Sequence, residues 1–396
     1  MQIHLNASPL LNAPLLANDE ASFNPSVIGD VRRHLAHVPY QRTALHSLPA
    51  LAAALNVGGL FVKDESERSS LGSFKALGGT HAVIRLVLAE ASRQLGYNVQ
   101  PEQLHNPEVA EIAAGLTFTC ATDGNHGRAV AAGARIAGAR SQVFVHSGVS
   151  AGRIAAIETE GASVTQTPGN YDDSIAAVND AALTRGWKVV SDTSWAGYED
   201  VPASVMQGYL VMVDEVIEQT RQAATPVTHV FLQAGVGGYA AAVAAFFHLK
   251  LGDAAPQVVI VEPSRASCLF ESAIAGHAKR IDSVAPTIMA MLECYEPSAI
   301  AWRILERLSA AFMTIDEAPA VEAMVALAKP LGSDPQIVSG ESGGAGLAGL
   351  MEAARSPAGY DRLKLDTRSV VLVFNTEGAT DRALYERLIA GEGLAV

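Results

Sequence analysis

The sequence has few cysteines, few lysines and no long hydrophobic run, and each shortage excludes a class of protein. Its three cysteines, Cys120, Cys268 and Cys294, cannot build a disulfide framework and show no zinc-ligand spacing. Whether Cys268 and Cys294 pair depends on the fold. No apolar run reaches the roughly 18–20 residues that a membrane-spanning helix needs. The start also lacks the basic region and apolar core of a secretion signal.

Positive charge is scarce as well. The formal net charge is −13, whereas nucleic-acid-binding proteins cluster Lys and Arg against phosphates. We therefore expect a cytoplasmic protein that has no membrane or nucleic-acid partner and no metal site.

Apolar sequence is abundant, because 49% of the 396 residues are hydrophobic, and it alternates between two kinds of segment. Short apolar runs rich in β-formers predict strands at 60–64, 116–121, 142–146, 187–192, 228–234, 257–262 and 369–375. Longer Ala-rich segments predict helices at 128–138, 151–161 and 203–220. The first forty residues carry no such pattern, and we expect them to be irregular.

Continuous apolar strands separated by helices are typical of parallel sheets covered on both faces. The fold class is therefore predicted to be α/β, with two domains that are each an open, mostly parallel twisted sheet covered by helices. We expect residues 1–80 and 221–396 to form a large domain and 81–220 a small one. A ligand is expected in the cleft between them, near the carboxyl ends of the strands.

One strand-to-helix junction resembles an anion cradle. A predicted strand runs into Gly235, Val236, Gly237 and Gly238, and an Ala-rich helix follows. Glycines let backbone N–H groups converge on an anion, and the dipole of the following helix adds to the attraction. No Walker lysine is present, which argues against a nucleoside triphosphate as the ligand. The alternative is a tight turn between buried elements.

A second junction is dense in polar groups. The strand at 116–121 is followed by Asp123, Gly124, Asn125, His126 and Gly127 before the next helix. Asp, Asn and Gly also suit turns and helix caps, and a lone histidine is more often structural than catalytic. The position at the end of a strand nevertheless favours ligand recognition.

A third glycine-rich segment raises a rival function. The sequence GESGG at 340–344 matches the G-x-S-x-G nucleophile elbow of α/β-hydrolases. That fold requires a catalytic histidine after the serine, yet the last histidine is His277. The hydrolase interpretation fails in its usual form, which leaves a glycine-rich turn lining a ligand pocket.

Of the seven lysines, Lys75 has the most unusual surroundings. It lies in SLGSFKALGG, among small, apolar and hydroxyl residues, whereas Lys63 has charged neighbours. Burial disfavours the charged form of a lysine and makes the neutral amine available as a nucleophile. Its glycine and serine neighbours would allow a flat ring to approach the backbone. The alternative is a lysine whose stem is buried and whose amine reaches water.

A phosphate cradle, a nucleophilic lysine and a polar turn are together the requirements of pyridoxal phosphate (PLP). At these residues the chain resembles the fold-type II PLP-dependent enzymes, which include tryptophan synthase β-subunit, and within them the diaminopropionate ammonia-lyases. The matching segments occur in family order and are KDES (63–66), SFKALGG (73–79), ATDGNHGRAVA (121–131), SDTSWAGYEDVP (191–202), MQGY (206–209), QAGVGG (233–238) and NTEGATD (375–381).

The resemblance implies PLP as the cofactor and assigns residues to it. Lys75 would form the Schiff base, Asn125 would bind the ring hydroxyl, Gly235–Gly238 would hold the phosphate, and Phe74 would pack beside the ring. A hydroxyl residue commonly faces the pyridine nitrogen in this family, which makes Thr376 the candidate and adjacent Asn375 the alternative. Asp123 and Asp192 are implied to be the catalytic acid–base groups, with Lys75 as a further base.

The reaction implied by the resemblance is α,β-elimination of 2,3-diaminopropionate, as the D- or L-isomer, to pyruvate and two ammonia. Two carboxylates suit a substrate with two amino groups, because they can pair with the extra ammonium. One alternative is a PLP-dependent dehydratase of serine, threonine or another 3-hydroxy amino acid. Another is a non-catalytic PLP-binding sensor of amino acids. The family also implies a homodimer.

Overall fold

The computed structural model of the protein describes residues 1–122, 124–169, 171–283 and 285–392. They fall into two compact units. The first unit comprises Met1–Pro25, Gln41–Ser73 and Met212–Val396, and the second unit comprises Ser26–Tyr40 and Phe74–Val211. Each contains parallel strands and helices, as the alternation of the sequence predicts.

The strands among the described residues are β1 (Gln2–Leu5), β2 (Leu45–Ser47), β3 (Gly59–Asp64), β4 (Thr117–Ala121), β5 (Arg140–His146), β6 (Ser163–Thr167), β7 (Lys188–Val189), β8 (His229–Gln233), β9 (Gln257–Pro263), β10 (Ser309–Ile315) and β11 (Val370–Asn375). The α-helices are α1 (Ala17–Phe23), α2 (Ile28–Leu35), α3 (Pro49–Ala54), α4 (Lys75–Leu95), α5 (Pro107–Ala114), α6 (Asn125–Ala137), α7 (Ala151–Thr159), α8 (Tyr171–Arg185), α9 (Asp200–Gly208), α10 (Leu210–Gln222), α11 (Gly238–Leu251), α12 (Cys268–Ala275), α13 (Ala299–Leu308), α14 (Glu317–Ala328), α15 (Ala345–Arg355), α16 (Pro357–Arg362) and α17 (Arg382–Ile389).

The sheet of the first unit has the strand order β1-β10-β9-β8-β11-β3-β2 within the described residues. Its inner strands are parallel, and the edge strands β1 and β2 pair antiparallel with β10 and β3. All five residues of β8 are buried. A strand that is buried at every position, with both faces covered, belongs in the middle of such a sheet. The chain that leaves β8 therefore emerges at the centre of the carboxyl edge.

The sheet of the second unit has the order β6-β5-β4-β7, with every pair parallel among the described residues. The long helix α4 packs against α6 and α9. Glycines make this packing close, because a Cβ at Gly78 would lie 2.5 Å from the Tyr209 ring and one at Gly79 would lie 2.7 Å from Ala129 Cβ. The glycines beside Lys75 thus allow close packing of helices. From the sequence, their expected role was to let a flat ring approach the backbone.

Every predicted strand is present, but three expectations were wrong in detail. The first forty residues are not irregular throughout, since they contain β1, α1 and α2. The strand expected at 187–192 is only the two-residue β7, and the helix expected at 203–220 is divided into α9 and α10 around Tyr209. Short edge strands depend on their partner more than on their own pattern, which explains why β1 gives no signal in the sequence.

The three cysteines are thiols in the structure. Among the described residues, no helix combines the length and the apolar character needed to cross a membrane.

A buried group of charges lies within the first unit. Arg68 bonds Glu65 at 2.7 Å and Glu215 at 2.8 Å, and Lys63 bonds Glu215 at 2.7 Å. All four side chains are at least 98% buried, with exposed fractions of 0% to 2%. Removing one member of such a group leaves uncompensated charge in the interior.

We expect Arg68→Met to lower the free energy of unfolding by about 3–5 kcal/mol, because Glu65 and Glu215 lose their shared cation. Urea denaturation of the purified variant measures the change. Arg93→Met is the matched control, since Arg93 is 69% exposed and pairs with Glu90 at the surface. Its effect should stay within about 0.5 kcal/mol. Equal stability of the two variants would contradict the structural role of Arg68.

Candidate active site

Lys75 is the first residue of α4, in the second unit, and its amine meets a carboxylate from a distant part of the chain. Lys75 Nζ lies 2.5 Å from Asp192 Oδ2, although the two residues are 117 positions apart. Their side chains are 22% and 21% exposed, so solvent-sized molecules can reach the pair. The structure thus brings together two of the three predicted catalytic residues. The third, Asp123, lies outside the described residues.

Opposing effects set the ionisation of Asp192. Burial by itself raises the pKa of the carboxyl, but the neighbouring Lys75 ammonium outweighs burial. The pKa of Asp192 consequently lies well below its ordinary value. The group is a carboxylate at neutral pH and is suited to hold a cation.

His126 is a third member of this cluster, and sequence reasoning had no ground to separate it from a structural histidine. Its Nε2 lies 2.7 Å from the carbonyl oxygen of Val190, so Nε2 carries the proton and donates. Its Nδ1 lies 3.9 Å from Asp192 Oδ2 and has no hydrogen-bond partner among the described residues. Burial lowers the pKa of His126, which Asp192 opposes. A neutral ring with a buried lone pair therefore faces the carboxylate.

Aromatic groups form the other wall around Lys75. The rings of Phe74 and Tyr209 lie 4.8 Å apart, and Lys75 Nζ is 5.4 Å from the centre of the Phe74 ring. Burial raises the pKa of Tyr209 to about 12, and the nearby Lys75 opposes this effect. Tyr209 is therefore a neutral phenol at physiological pH. An amine with a carboxylate on one side and apolar rings on the other suits a flat, partly charged ligand.

The polar turn before α6 is built as a helix start. Thr122 Oγ1 accepts hydrogen bonds from the backbone N–H groups of Gly124 and Gly127, at 3.0 and 3.2 Å. Asn125 begins α6 and is buried. A Cβ at Gly127 would lie 2.4 Å from Thr122 Cγ2, so this position requires glycine. The predicted ligand residue Asn125 is thus held on a rigid helix end in the second unit.

The glycine loop of the first unit has the form of an anion cradle. It joins β8 to the fourteen-residue helix α11, and Gly237 precedes that helix with a φ of +90°. A Cβ at Gly235 would come within 2.8 Å of Cys294 Sγ. Side chains are thereby excluded, and the N–H groups at the helix start remain available to a phosphate. The residues present fit the phosphate of PLP.

We expect Gly237→Ala to weaken PLP binding by about tenfold or more. A side chain at this positive φ is strained, and the added Cβ would lie 3.0 Å from Leu269 Cδ1. Absorbance titration of the apoprotein with PLP measures the affinity. Gly29→Ala is the matched control, since nothing lies within 4 Å of its added Cβ. Unchanged affinity in Gly237→Ala would refute the cradle.

The two candidates for the partner of the pyridine nitrogen, Asn375 and Thr376, stand at the end of β11 and just after it, and they differ in their hydrogen bonds. Asn375 Nδ2 donates to Asp64 Oδ1 at 2.8 Å and to the Val338 carbonyl at 2.9 Å, so its amide hydrogens are used within the protein. Thr376 Oγ1 instead accepts a hydrogen bond of 2.9 Å from Gln233 Nε2. Among the described residues no acceptor binds the hydrogen of the Thr376 hydroxyl, so this hydrogen can be donated, which favours Thr376 over Asn375.

Gln233 is a residue whose role the sequence did not reveal. Besides Thr376 Oγ1, the carbonyl oxygens of Gly343 and Phe374 lie 2.7 and 3.0 Å from its Nε2, so these three acceptors share the two hydrogens of the amide. The glycine-rich segment 339–346 therefore packs on the end of β11, and a Cβ at Gly343 would lie 2.3 Å from the Glu377 carbonyl oxygen. Ser342 Oγ accepts the N–H of Met291, a structural contact.

Comparison with known proteins agrees with this geometry. Residues 38–374 match the family model described as "Pyridoxal-phosphate dependent enzyme". The chain is 37% identical to the diaminopropionate ammonia-lyase of Salmonella typhimurium over 357 residues, which are 88% of each chain.

Solved structures of diaminopropionate ammonia-lyase are also similar to this chain. The holo diaminopropionate ammonia-lyase of Escherichia coli superposes with a TM-score of 0.87 at 35% identity, covering 98% of this chain and 96% of that one. The same enzyme in complex with an aminoacrylate-PLP azomethine reaction intermediate superposes with a TM-score of 0.86 at 33% identity, covering 98% and 96%. The chain therefore belongs to the family of pyridoxal-phosphate-dependent enzymes, and within it to the diaminopropionate ammonia-lyases.

Proposed function

We propose that the protein catalyses the α,β-elimination of 2,3-diaminopropionate. One molecule of substrate and one of water give pyruvate and two molecules of ammonia. The observation that carries the proposal is the 2.5 Å contact between Lys75 and Asp192 in a chain of this family. It places an amine and a carboxylate together where a diamino acid needs both.

Bound PLP serves as an electron sink that makes the substrate's α-proton removable. Lys75 is the residue proposed to attach the cofactor. The backbone N–H groups of Gly235, Val236, Gly237 and Gly238 would bind its phosphate. Asn125, Phe74 and Thr376 would contact its ring. The support for these roles is the glycine geometry of the first unit, the buried start of α6 and the Thr376 hydroxyl, which accepts a hydrogen bond from Gln233 and can still donate one.

Asp192 is proposed to handle the substrate's protons. While Lys75 is its partner, the carboxylate has a depressed pKa and is a weak base. Attachment of Lys75 to PLP would take its free ammonium away from Asp192, which would weaken the largest interaction that lowers this pKa and make Asp192 a stronger base. It can then pair with the second ammonium of the substrate or accept a proton. The family resemblance assigns Asp123 as the second acid–base group. It would donate a proton to the substrate, or accept one from it, on the face opposite Asp192.

His126 supports this role through its neutral ring. Its Nδ1 lone pair lies 3.9 Å from Asp192 Oδ2, and no described residue donates to it. A proton arriving at the carboxylate can therefore be shared with His126 after a small movement. The positive charge of this proton would then be spread over Asp192 and His126, at a site where burial penalises an isolated cation.

The test is a substrate panel with PLP added, in which pyruvate release is followed with D- and L-diaminopropionate, serine and threonine. We expect the highest kcat/KM with a diaminopropionate isomer. A higher kcat/KM with serine or threonine would instead establish a dehydratase. Absence of pyruvate from every substrate, with PLP still bound, would indicate a non-catalytic amino-acid sensor.

We further propose that the enzyme is a cytoplasmic homodimer, which is supported by the family membership and by the scarcity of disulfide-forming cysteines. Light scattering after size-exclusion chromatography measures the assembly. A mass of one chain would contradict the dimer.

A further inference from the structure

The loop that carries Asp192 is closed by its own aromatic residues. Trp195 and Tyr198 exchange backbone hydrogen bonds, from Tyr198 N to Trp195 O at 2.9 Å and from Trp195 N to Tyr198 O at 3.3 Å. Gly197, between them, has a φ of +84°, which L side chains rarely adopt. The two rings stack 4.3 Å apart at an angle of 17°. The turn and the stack together fix the direction of the Tyr198 side chain.

The Tyr198 hydroxyl reaches back to the point where the chain leaves the sheet. It donates to the carbonyl oxygen of Val189 at 2.9 Å and accepts the N–H of Ser191 at 3.2 Å. Between these two residues, the carbonyl oxygen of Val190 accepts the His126 hydrogen bond. Three consecutive residues, the last of β7 and the two that follow it, are therefore held by side chains. Asp192 is the next residue.

We propose that Tyr198 is a positioning residue, whose hydroxyl fixes the backbone so that the Asp192 carboxylate stays in contact with Lys75. The inference rests on the proposed function only for the role given to Asp192. The ladder with β4 ends here, since Val190 N makes a last bond to Thr119 O at 2.8 Å. Beyond that bond, the hydroxyl supplies the restraint that the sheet no longer gives.

A purely structural role for Tyr198 makes a different prediction about pH. Among the described residues, the titratable groups that face Asp192 are Lys75 (α4), Cys120 (β4), His126 (α6), Tyr198 and Tyr209. Burial raises the pKa of Asp192, and contact with Lys75 lowers it. If the carboxylate moves away from Lys75, its pKa rises. The acidic limb of the kcat/KM profile should then move to higher pH, which a loss of stability alone would not cause.

The test is Tyr198→Phe, which removes the hydroxyl and keeps the ring that stacks on Trp195. We expect kcat to fall about tenfold with KM changed by less than about twofold. The acidic limb should shift to higher pH, and amide exchange at 189–193 should accelerate. Tyr97→Phe is the matched control, because Tyr97 is 42% exposed and its hydroxyl bonds Glu108 away from the site. It should match the wild type.

The double variant Tyr198→Phe/Asp192→Asn distinguishes an error in the role of Tyr198 from an error in the role of Asp192. If Tyr198 acts through Asp192, the double variant should be no slower than Asp192→Asn alone. Additive losses, or an unshifted pH limb in Tyr198→Phe, would overturn the positioning role. A fully active Asp192→Asn enzyme would instead overturn the role proposed for Asp192. Trp195→Ala removes the stacking partner and should shift the limb in the same direction, which tests the inference even if Tyr198→Phe folds poorly.

Discussion

Lys75→Ala is expected to reduce pyruvate release from 2,3-diaminopropionate by on the order of 10⁴-fold or more. The substitution removes the amine that attaches the cofactor. It also leaves Asp192 without the cation that lies 2.5 Å away. No other lysine is positioned in the second unit beside this carboxylate among the described residues. Steady-state and single-turnover assays with saturating PLP measure the loss.

The matched control for Lys75 is Lys250→Ala. Lys250 is 38% exposed and pairs with Asp214 at 3.7 Å, so we expect activity close to that of the wild type. Borohydride reduction followed by peptide mass spectrometry provides an independent measurement. Wild-type protein should carry PLP covalently on Lys75, and the Lys75→Ala protein should carry none. Covalent PLP in that variant would show that the lysine is wrongly assigned.

Asp192→Asn is expected to lower kcat by about 10²- to 10³-fold. The amide preserves the shape of the side chain but can neither accept a proton nor neutralise an ammonium. Although burial raises the pKa of Asp192, the Lys75 ammonium holds it below its ordinary value. The wild-type group is therefore a carboxylate throughout the neutral range. The deficit should accordingly persist across that range, which a kcat profile measures.

Asp30→Asn provides the control for Asp192. Asp30 belongs to the same unit, is 71% exposed and pairs with Arg33 at the surface. Its substitution should leave kcat unchanged. If Asp192→Asn retained more than about a third of wild-type kcat, Asp192 could not be the principal acid–base group.

The sheets could be predicted because their inner strands carry their own signal. A run such as HVFLQ is apolar or buried at every position and is followed by glycines, so β8 and the cradle are recognisable locally. Lys75 was recognised by its small neighbours and by the family motif around it. The edge strand β1 was missed because its stability comes from pairing with β10, which begins more than 300 residues later.

Contacts between distant residues could not be predicted from local pattern. Lys63 stands among charged residues in the sequence, yet it is buried and bonds Glu215, which is 152 positions away. The 2.5 Å contact of Lys75 with Asp192 likewise depends on how α4 packs in the second unit. The hydrogen bonds of Gln233 and His126 have no signal of their own, since an amide or an imidazole takes its role from the acceptors that the fold supplies.

The most direct test of the proposed function is the number of ammonia molecules released per pyruvate from 2,3-diaminopropionate. Purified enzyme with PLP is assayed for both products in the same reaction, and D- and L-isomers are measured separately. The proposed elimination predicts two ammonia for each pyruvate, at a kcat/KM above that for serine. One ammonia per pyruvate from diaminopropionate, or efficient turnover of serine alone, would contradict it.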